Sequence, residues 1–230
     1  MDVKNEILSY FESQLTDRRR ELVKKVLLER TRHVTLVLEN IYQTQNANAV
    51  LRTAECLGIQ DIHIIENSNK YDINPQVLRG ANKWLDLHYY NQNEFNTPDC
   101  IQQLKLKGYK VIATTPSEDA KFLPELDLSQ KVAIMFGTEK QGLTSEALSM
   151  ADETLKIPMV GFTESLNISV SAALVMYDLT QRLRKSDIKW QLSKEEFEFL
   201  YYEWMKKATT NSESIEREFI KRRGNLDSLS

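Results

Sequence analysis

The chain has 230 residues, 41% hydrophobic and 27% charged, enough apolar material for a substantial core, and its net charge of −3 argues against a nucleic-acid partner only if taken whole. No apolar run approaches the roughly 18 residues that cross a bilayer, and the polar, acidic start "MDVKNEILSYFESQ" lacks the basic and apolar regions of a signal peptide, so a cytoplasmic protein with no membrane partner is expected. Two cysteines, Cys56 and Cys100, and three histidines lack metal-ligand spacing, so no metal is expected.

Residues 1–32 read as helix, with Ile7, Leu8, Phe11 and Leu15 on one stripe and Leu22, Val23, Val26 and Leu27 on another. This segment carries 8 Lys+Arg against 6 Asp+Glu, and "RRRELVKKVLLERTR" (Arg18–Arg32) holds 7 basic and 2 acidic residues. Residues 33–180 carry 11 against 18, and residues 181–230 carry 11 against 9, so the basic charge sits at the two ends. Such a run is either a solvated helix face or an arm that contacts phosphates.

"HVTLVLEN" (His33–Asn40) is a first buried strand, and "NANAVLRTAECLG" (Asn46–Gly58) a helix with Asn46 as N-cap and Gly58 as its stop. "DIHII" (Asp61–Ile65) and "WLDLHYY" (Trp84–Tyr90) are strands, then "PDCIQQLKLKG" (Pro98–Gly108) is a helix. "YKVIATT" (Tyr109–Thr115), "KVAIMFG" (Lys131–Gly137) and "ETLKIPM" (Glu153–Met159) are strands, with a short helix "TSEALSMA" (Thr144–Ala151) before the last of them. A long helix from about Asn167 to Lys185 closes the region, and beyond it the chain is polar and helical, with disorder expected at its end. Strands alternating with helices over about 150 residues predict an α/β fold with a mostly parallel sheet flanked by helices. Three parts follow: a basic helical arm (1–32), the α/β domain (33–185) and a helical C-terminal extension with a disordered tail (186–230).

The common enzyme templates fail. None of the seven glycines is spaced as a dinucleotide cradle or a phosphate loop, and no serine sits in a nucleophile elbow. Three polar clusters remain, each where a strand hands over to a helix, the place at which ligands bind in open α/β sheets. They are "NIYQTQNANAVLRTAE", with Asn46 and Arg52; "FGTEKQGL" (Phe136–Leu143), with Glu139 between two glycines; and "IPMVGFTESLNISVSAALVMY" (Ile157–Tyr177), with Ser165 and Asn167 just before a helix. Arg52 is expected on a face shared with Asn48 and Glu55, away from the apolar stripe. Each cluster also has an ordinary reading as a cap, a surface ion pair, a turn or a helix start.

"NANAVLRTAECLG", "MFGTEKQGL" and "IPMVGFTESLNISVSAALVMY" together resemble the three motifs of the SpoU-type RNA 2′-O-methyltransferases of the SPOUT superfamily, over roughly Thr35 to Arg184. The resemblance implies a deep trefoil knot in the C-terminal part of the sheet, S-adenosylmethionine as methyl donor, and a homodimer. The short basic arm and "GANKW" (Gly80–Trp84) look most like the members that methylate the tRNA D-loop guanosine at position 18, with another tRNA position, ribosomal RNA or a non-catalytic knotted RNA-binding module as alternatives. By the same resemblance, Arg52, Asn46, Glu139, Ser165 and Asn167 are the expected catalytic residues. Thr115, Gly137, Ile157, Met159 and Leu166 would hold the cofactor, and Arg18, Arg19 and Arg20 would contact tRNA. Acidic Glu164 departs from the neutral residue more usual at that position.

Overall fold

A computed structural model describes residues 3–71, 80–163 and 165–227, the side chains of 222–227 excepted. Glu164 and residues 228–230 of the tail lie outside the described residues. The chain divides into two compact units, Thr31–Gln191 and a second formed by the residues up to Arg30 together with those from Leu192 onward.

The larger unit is built on one seven-stranded sheet of β1 (Val34–Glu39), β2 (Asp61–Ile65), β3 (Asp86–Tyr90), β4 (Lys110–Thr114), β5 (Lys121–Phe122), β6 (Val132–Phe136) and β7 (Glu153–Lys156). Their order is β3-β2-β1-β6-β4-β7-β5, and every pairing is parallel, from Leu36 opposite Ile62 and Ile134 to Phe122 opposite Lys156. A parallel sheet must be covered on both faces, and the strand residues alternate accordingly. Leu36, Leu38, Ile134 and Phe136 pack with Val50, Leu51 and Ala54 of α3 (Thr44–Leu57) and Ala172, Val175 and Leu179 of α6 (Ile168–Arg184). Val37, Ala133 and Met135 turn the other way, onto Cys100, Ile101 and Leu104 of α4 (Thr97–Leu106) and Ala147 of α5 (Ser145–Met150). All six β1 residues are buried, which is why "VTLVLE" is a near-continuous apolar run rather than an alternating one.

The second unit holds α1 (Val3–Ser13), α2 (Asp17–Leu28), α7 (Lys194–Ala208) and α8 (Ser212–Asp227). The single helix expected over 1–32 is thus two. Thr16 breaks it, its backbone extended at ψ 152° and its side chain accepting from the Arg19 N–H, so it caps a new helix instead of continuing the old one. Phe11, Leu27, Leu200, Trp204 and Met205 form this unit's buried interior, and Tyr201 donates its hydroxyl to Glu12 at 2.6 Å. The two ends of the chain, taken separately in the sequence, form one body, and helix α8 continues as far as Asp227.

Among the described residues no helix is long and apolar enough to cross a membrane, and no group of three or more His, Cys, Asp or Glu could hold a metal ion.

Candidate active site

All strands of a parallel sheet end on the same side, and the crevice beyond those ends is where such sheets hold ligands. Here the ends of β6, β4 and β7, adjacent in the sheet, open onto a cavity of about 330 Å³, within the usual range for small-molecule sites. Thr114 and Thr115 enter it from β4, Phe136 to Gly142 from the turn after β6, Leu155 to Ile157 from β7, and Ser165, Leu166, Ile168, Ser171 and Val175 from the start of α6. Thr115, Gly137, Ile157, Met159 and Leu166 all line it. Its wall is apolar at Ile157, Met159, Leu166 and Val175 and polar at the threonines, the serines and Glu139, a lining that suits an amphiphilic ligand such as a nucleoside.

The turn after β6 is tight. Thr138 N–H donates to Gly142 O at 2.9 Å and Gly142 N–H to Thr138 O at 3.0 Å. A Cβ at Gly137 would stand 2.1 Å from the Gly142 carbonyl and 2.2 Å from Leu143 N, so no other residue fits without moving this wall.

Beside the cavity three of the expected catalytic residues form one network. Asn46 Nδ2 donates to Glu139 Oε1 at 2.7 Å and to Gln43 Oε1 at 3.1 Å. Asn167 Nδ2 donates to Asn46 Oδ1 at 3.2 Å. At the same time Asn167 is the N-cap of α6, accepting on Oδ1 from Ser169 N–H at 2.8 Å and Ser169 Oγ at 2.6 Å. Residues 121 apart in sequence are thus held by one amide pair, and the carboxylate of Glu139 closes the chain.

Two expectations are corrected. Asn46 is not the cap of α3: the helix begins at Thr44 after Gln43, and Asn46 lies inside the first turn, buried, with its side chain directed to Glu139. The cap reading missed this because it took an Asn ahead of an apolar run as a start signal, whereas the amide bonds across the site. Nor do Arg52 and Asn48 share an open face. Asn48 is fully buried and accepts from the Tyr71 hydroxyl at 2.5 Å, while Arg52 is exposed and has no hydrogen-bond or ion-pair partner among the described residues. Glu139 therefore reaches Asn46 and not Arg52. Ser165 is exposed and lines the cavity, whereas Arg52, Asn46 and Asn167 stand outside its lining.

Two participants escaped sequence reasoning. Gln43, read as loop, joins the network through its amide oxygen. Glu39, read as the end of a buried strand, is 1% exposed and accepts from the N–H of Thr144, the residue after the turn that walls the cavity. A charged residue closing an otherwise apolar strand was the available signal.

In the terminal unit, Arg18 and Arg19 are exposed. Arg20 is partly buried: its guanidinium donates to Glu12 O at 2.7 Å and Leu15 O at 3.2 Å and pairs with Asp17, clasping the break between α1 and α2.

Residues 33–177 match the model of the SpoU rRNA Methylase family. Over 210 residues, 91% of this chain and 93% of the other, the sequence is 43% identical to a tRNA (guanosine(18)-2'-O)-methyltransferase of Borreliella burgdorferi. The crystal structure of an Aquifex aeolicus TrmH/SpoU tRNA modifying enzyme superposes with a TM-score of 0.74 at 25% identity, covering 85% of this chain and 98% of that one. The SpoU methyltransferase AviRb from Streptomyces viridochromogenes, in complex with the cofactor AdoMet, shares the fold with a TM-score of 0.58 at 19% identity, covering 70% of this chain and 62% of that one.

Proposed function

The chain belongs to the SpoU methylase family, and from that premise we propose that it transfers a methyl group from S-adenosylmethionine to the ribose 2′-hydroxyl of the D-loop guanosine at tRNA position 18. The observation that carries this is the convergence of three distant motifs on one sheet end, with Glu139 and Ser165 in the cavity wall, Asn46 bonded to Glu139 and Asn167 bonded to Asn46. Tight turn, amphiphilic lining and volume fit the methyl donor, with Thr115, Gly137, Ile157, Met159 and Leu166 as its holders. When bound, the donor supplies an electrophilic methyl group on a sulfonium.

The chain's own part is alignment. A ribose hydroxyl is a weak nucleophile, and transfer requires it in line with the methyl and beside a proton acceptor. A guanidinium offers a planar set of N–H donors and no acceptor. The role of Arg52 is to clamp the hydroxyl and the neighbouring phosphate with its planar fork, and the proton leaves to that phosphate. Arg52 is exposed and has no protein partner among the described residues, so the fork is available to substrate. The Asn167–Asn46–Glu139 network holds the first turn of α3, one and a half turns before Arg52, at a fixed distance from the cavity, and Ser165 contributes a hydroxyl at its mouth. In the terminal unit, exposed Arg18 and Arg19 serve as phosphate contacts for tRNA, while Arg20 is a structural clasp.

The reading includes a homodimer and the deep trefoil knot. For the dimer speaks the exposed apolar set Val160, Phe162, Leu166, Val170, Leu174 and Tyr177, running from the loop onto α6. For the knot speaks the strand order, in which β7 enters between β4 and β5 after both are placed. The place of work is the cytoplasm, where tRNA is.

The test uses two tRNA transcripts, one with guanosine and one with 2′-deoxyguanosine at position 18, incubated with labelled S-adenosylmethionine. Label enters the first and not the second. Equal labelling of both refutes the assigned oxygen.

A further inference from the structure

The carboxylate of Glu39 ends β1 inside the protein, and three donors converge on it. Thr144 donates its N–H to Oε2 at 2.8 Å and its hydroxyl to Oε1 at 2.8 Å, and Thr97 donates its hydroxyl to Oε1 at 2.6 Å. Both hydroxyl oxygens are themselves acceptors, Thr97 from Asn67 Nδ2 at 3.0 Å and Thr144 from Ala147 N–H at 3.2 Å, which leaves their protons directed at Glu39. A buried carboxylate is costly unless such donors replace its water, and here, among the described residues, hydrogen bonds do so. Thr144 follows directly on the 137–143 turn, whose backbone walls the cavity and whose Glu139 holds Asn46.

We propose that Glu39 is a positioning residue for methyl transfer: gripping Thr144 at both N–H and hydroxyl, it anchors the far end of the 137–143 turn and so fixes Glu139 against Asn46. An amide cannot do the same. A glutamine with its oxygen toward the Thr144 N–H turns its NH₂ on two hydroxyls, leaving two buried protons without acceptors. Turned over, its NH₂ opposes the Thr144 N–H. The Thr97 arm reaches α4, which lines no part of the cavity, so the two arms of one carboxylate have different consequences.

Hydrogen–deuterium exchange separates them without reference to activity. In Glu39→Gln the amides of Thr138 and Gly142, each bonded to the other's carbonyl, exchange about tenfold faster, while those of Ile62 to Ile65 in β2 keep their protection. In Thr97→Val the turn exchanges as in the wild type. The kinetic arm rests on the methyl-transfer reading. There Glu39→Gln lowers kcat about tenfold, and combined with Glu139→Gln it adds no further loss, because both act through one contact. Unchanged exchange in the turn, or fully additive kinetic losses, overturns the proposal. If Glu39→Gln fails to fold, Thr144→Val takes its place, losing the hydroxyl arm while keeping the N–H, with faster exchange in the turn expected and unaltered exchange overturning. Should the wild-type protein transfer no methyl, the function falls and the exchange result alone decides on Glu39.

Discussion

The proposed work of Arg52 depends on shape: a planar fork can hold a hydroxyl and a phosphate oxygen together, a point charge cannot. Arg52→Lys keeps the charge and loses the fork, so kcat should fall about a hundredfold with little change in the melting temperature of an exposed position. Near-wild-type turnover in single-turnover assays contradicts the clamp. A second residue sets an acid limit on the fold. His63 is buried on β2, stacked on His88 with ring centres 4.5 Å apart and bonded through Nδ1 to the Tyr90 hydroxyl at 3.1 Å. Burial, reinforced by the His88 charge, pushes its pKa down to about 3. Burial also pushes neighbouring Asp61 up, but the His88 hydrogen bond and Arg32 outweigh it, leaving that carboxyl below its usual value. An unfolded histidine titrates near about 6.5. Between about pH 6.5 and 3 the unfolded chain therefore binds a proton that folded His63 does not, and stability falls as pH falls through that window. Urea melts from pH 7 to pH 4 should show this decline, and a shallower one in His63→Gln. Equal slopes contradict the assignment.

Helix α6 joins the residue scale to the next, because its N-cap Asn167 also bonds Asn46 beside the cavity. Asn167→Ala removes the cap and the bond to Asn46, so it should cost about 1 kcal/mol and also activity. Asn167→Asp keeps the cap acceptor but sets a carboxylate oxygen against Asn46 Oδ1, so it should melt near the wild type and still lose activity. If both variants behave alike in melting and in turnover, the double role is wrong. Which elements could be read in advance follows from the range of the forces that define them. The bounds of β2, the αL stop at Gly58 (φ 84°) and the start of the long helix at about Asn167 depend on neighbours in sequence, and those readings agree with the structure. The two-residue β5 was missed because Lys121 and Phe122 are both exposed and make no apolar run. Asn46 was misassigned and Glu39 overlooked for the opposite reason, since their partners lie 93 and 105 residues away. The three site motifs were legible by resemblance; the bonds among their side chains were not.

At the scale of the molecule, the parallel sheet accounts for where the chemistry can be: every strand delivers its last residue to one side, and the three motifs are three such deliveries. Val160, Phe162, Leu166, Val170, Leu174 and Tyr177 form the exposed apolar set on which the proposed dimer rests. Sedimentation velocity should therefore find a dimer, and Leu174→Arg, a charge set into that patch, should yield a monomer with little activity. A wild-type monomer of full activity contradicts this. The central claim is that the network, the cavity and Arg52 together deliver one methyl group to one sugar oxygen. Mass spectrometric mapping of tRNA after incubation with protein and S-adenosylmethionine tests it most directly. The account predicts a single added methyl on the ribose of guanosine 18, absent with Arg52→Ala; a methyl on a base, at another position, or undiminished in that variant contradicts it.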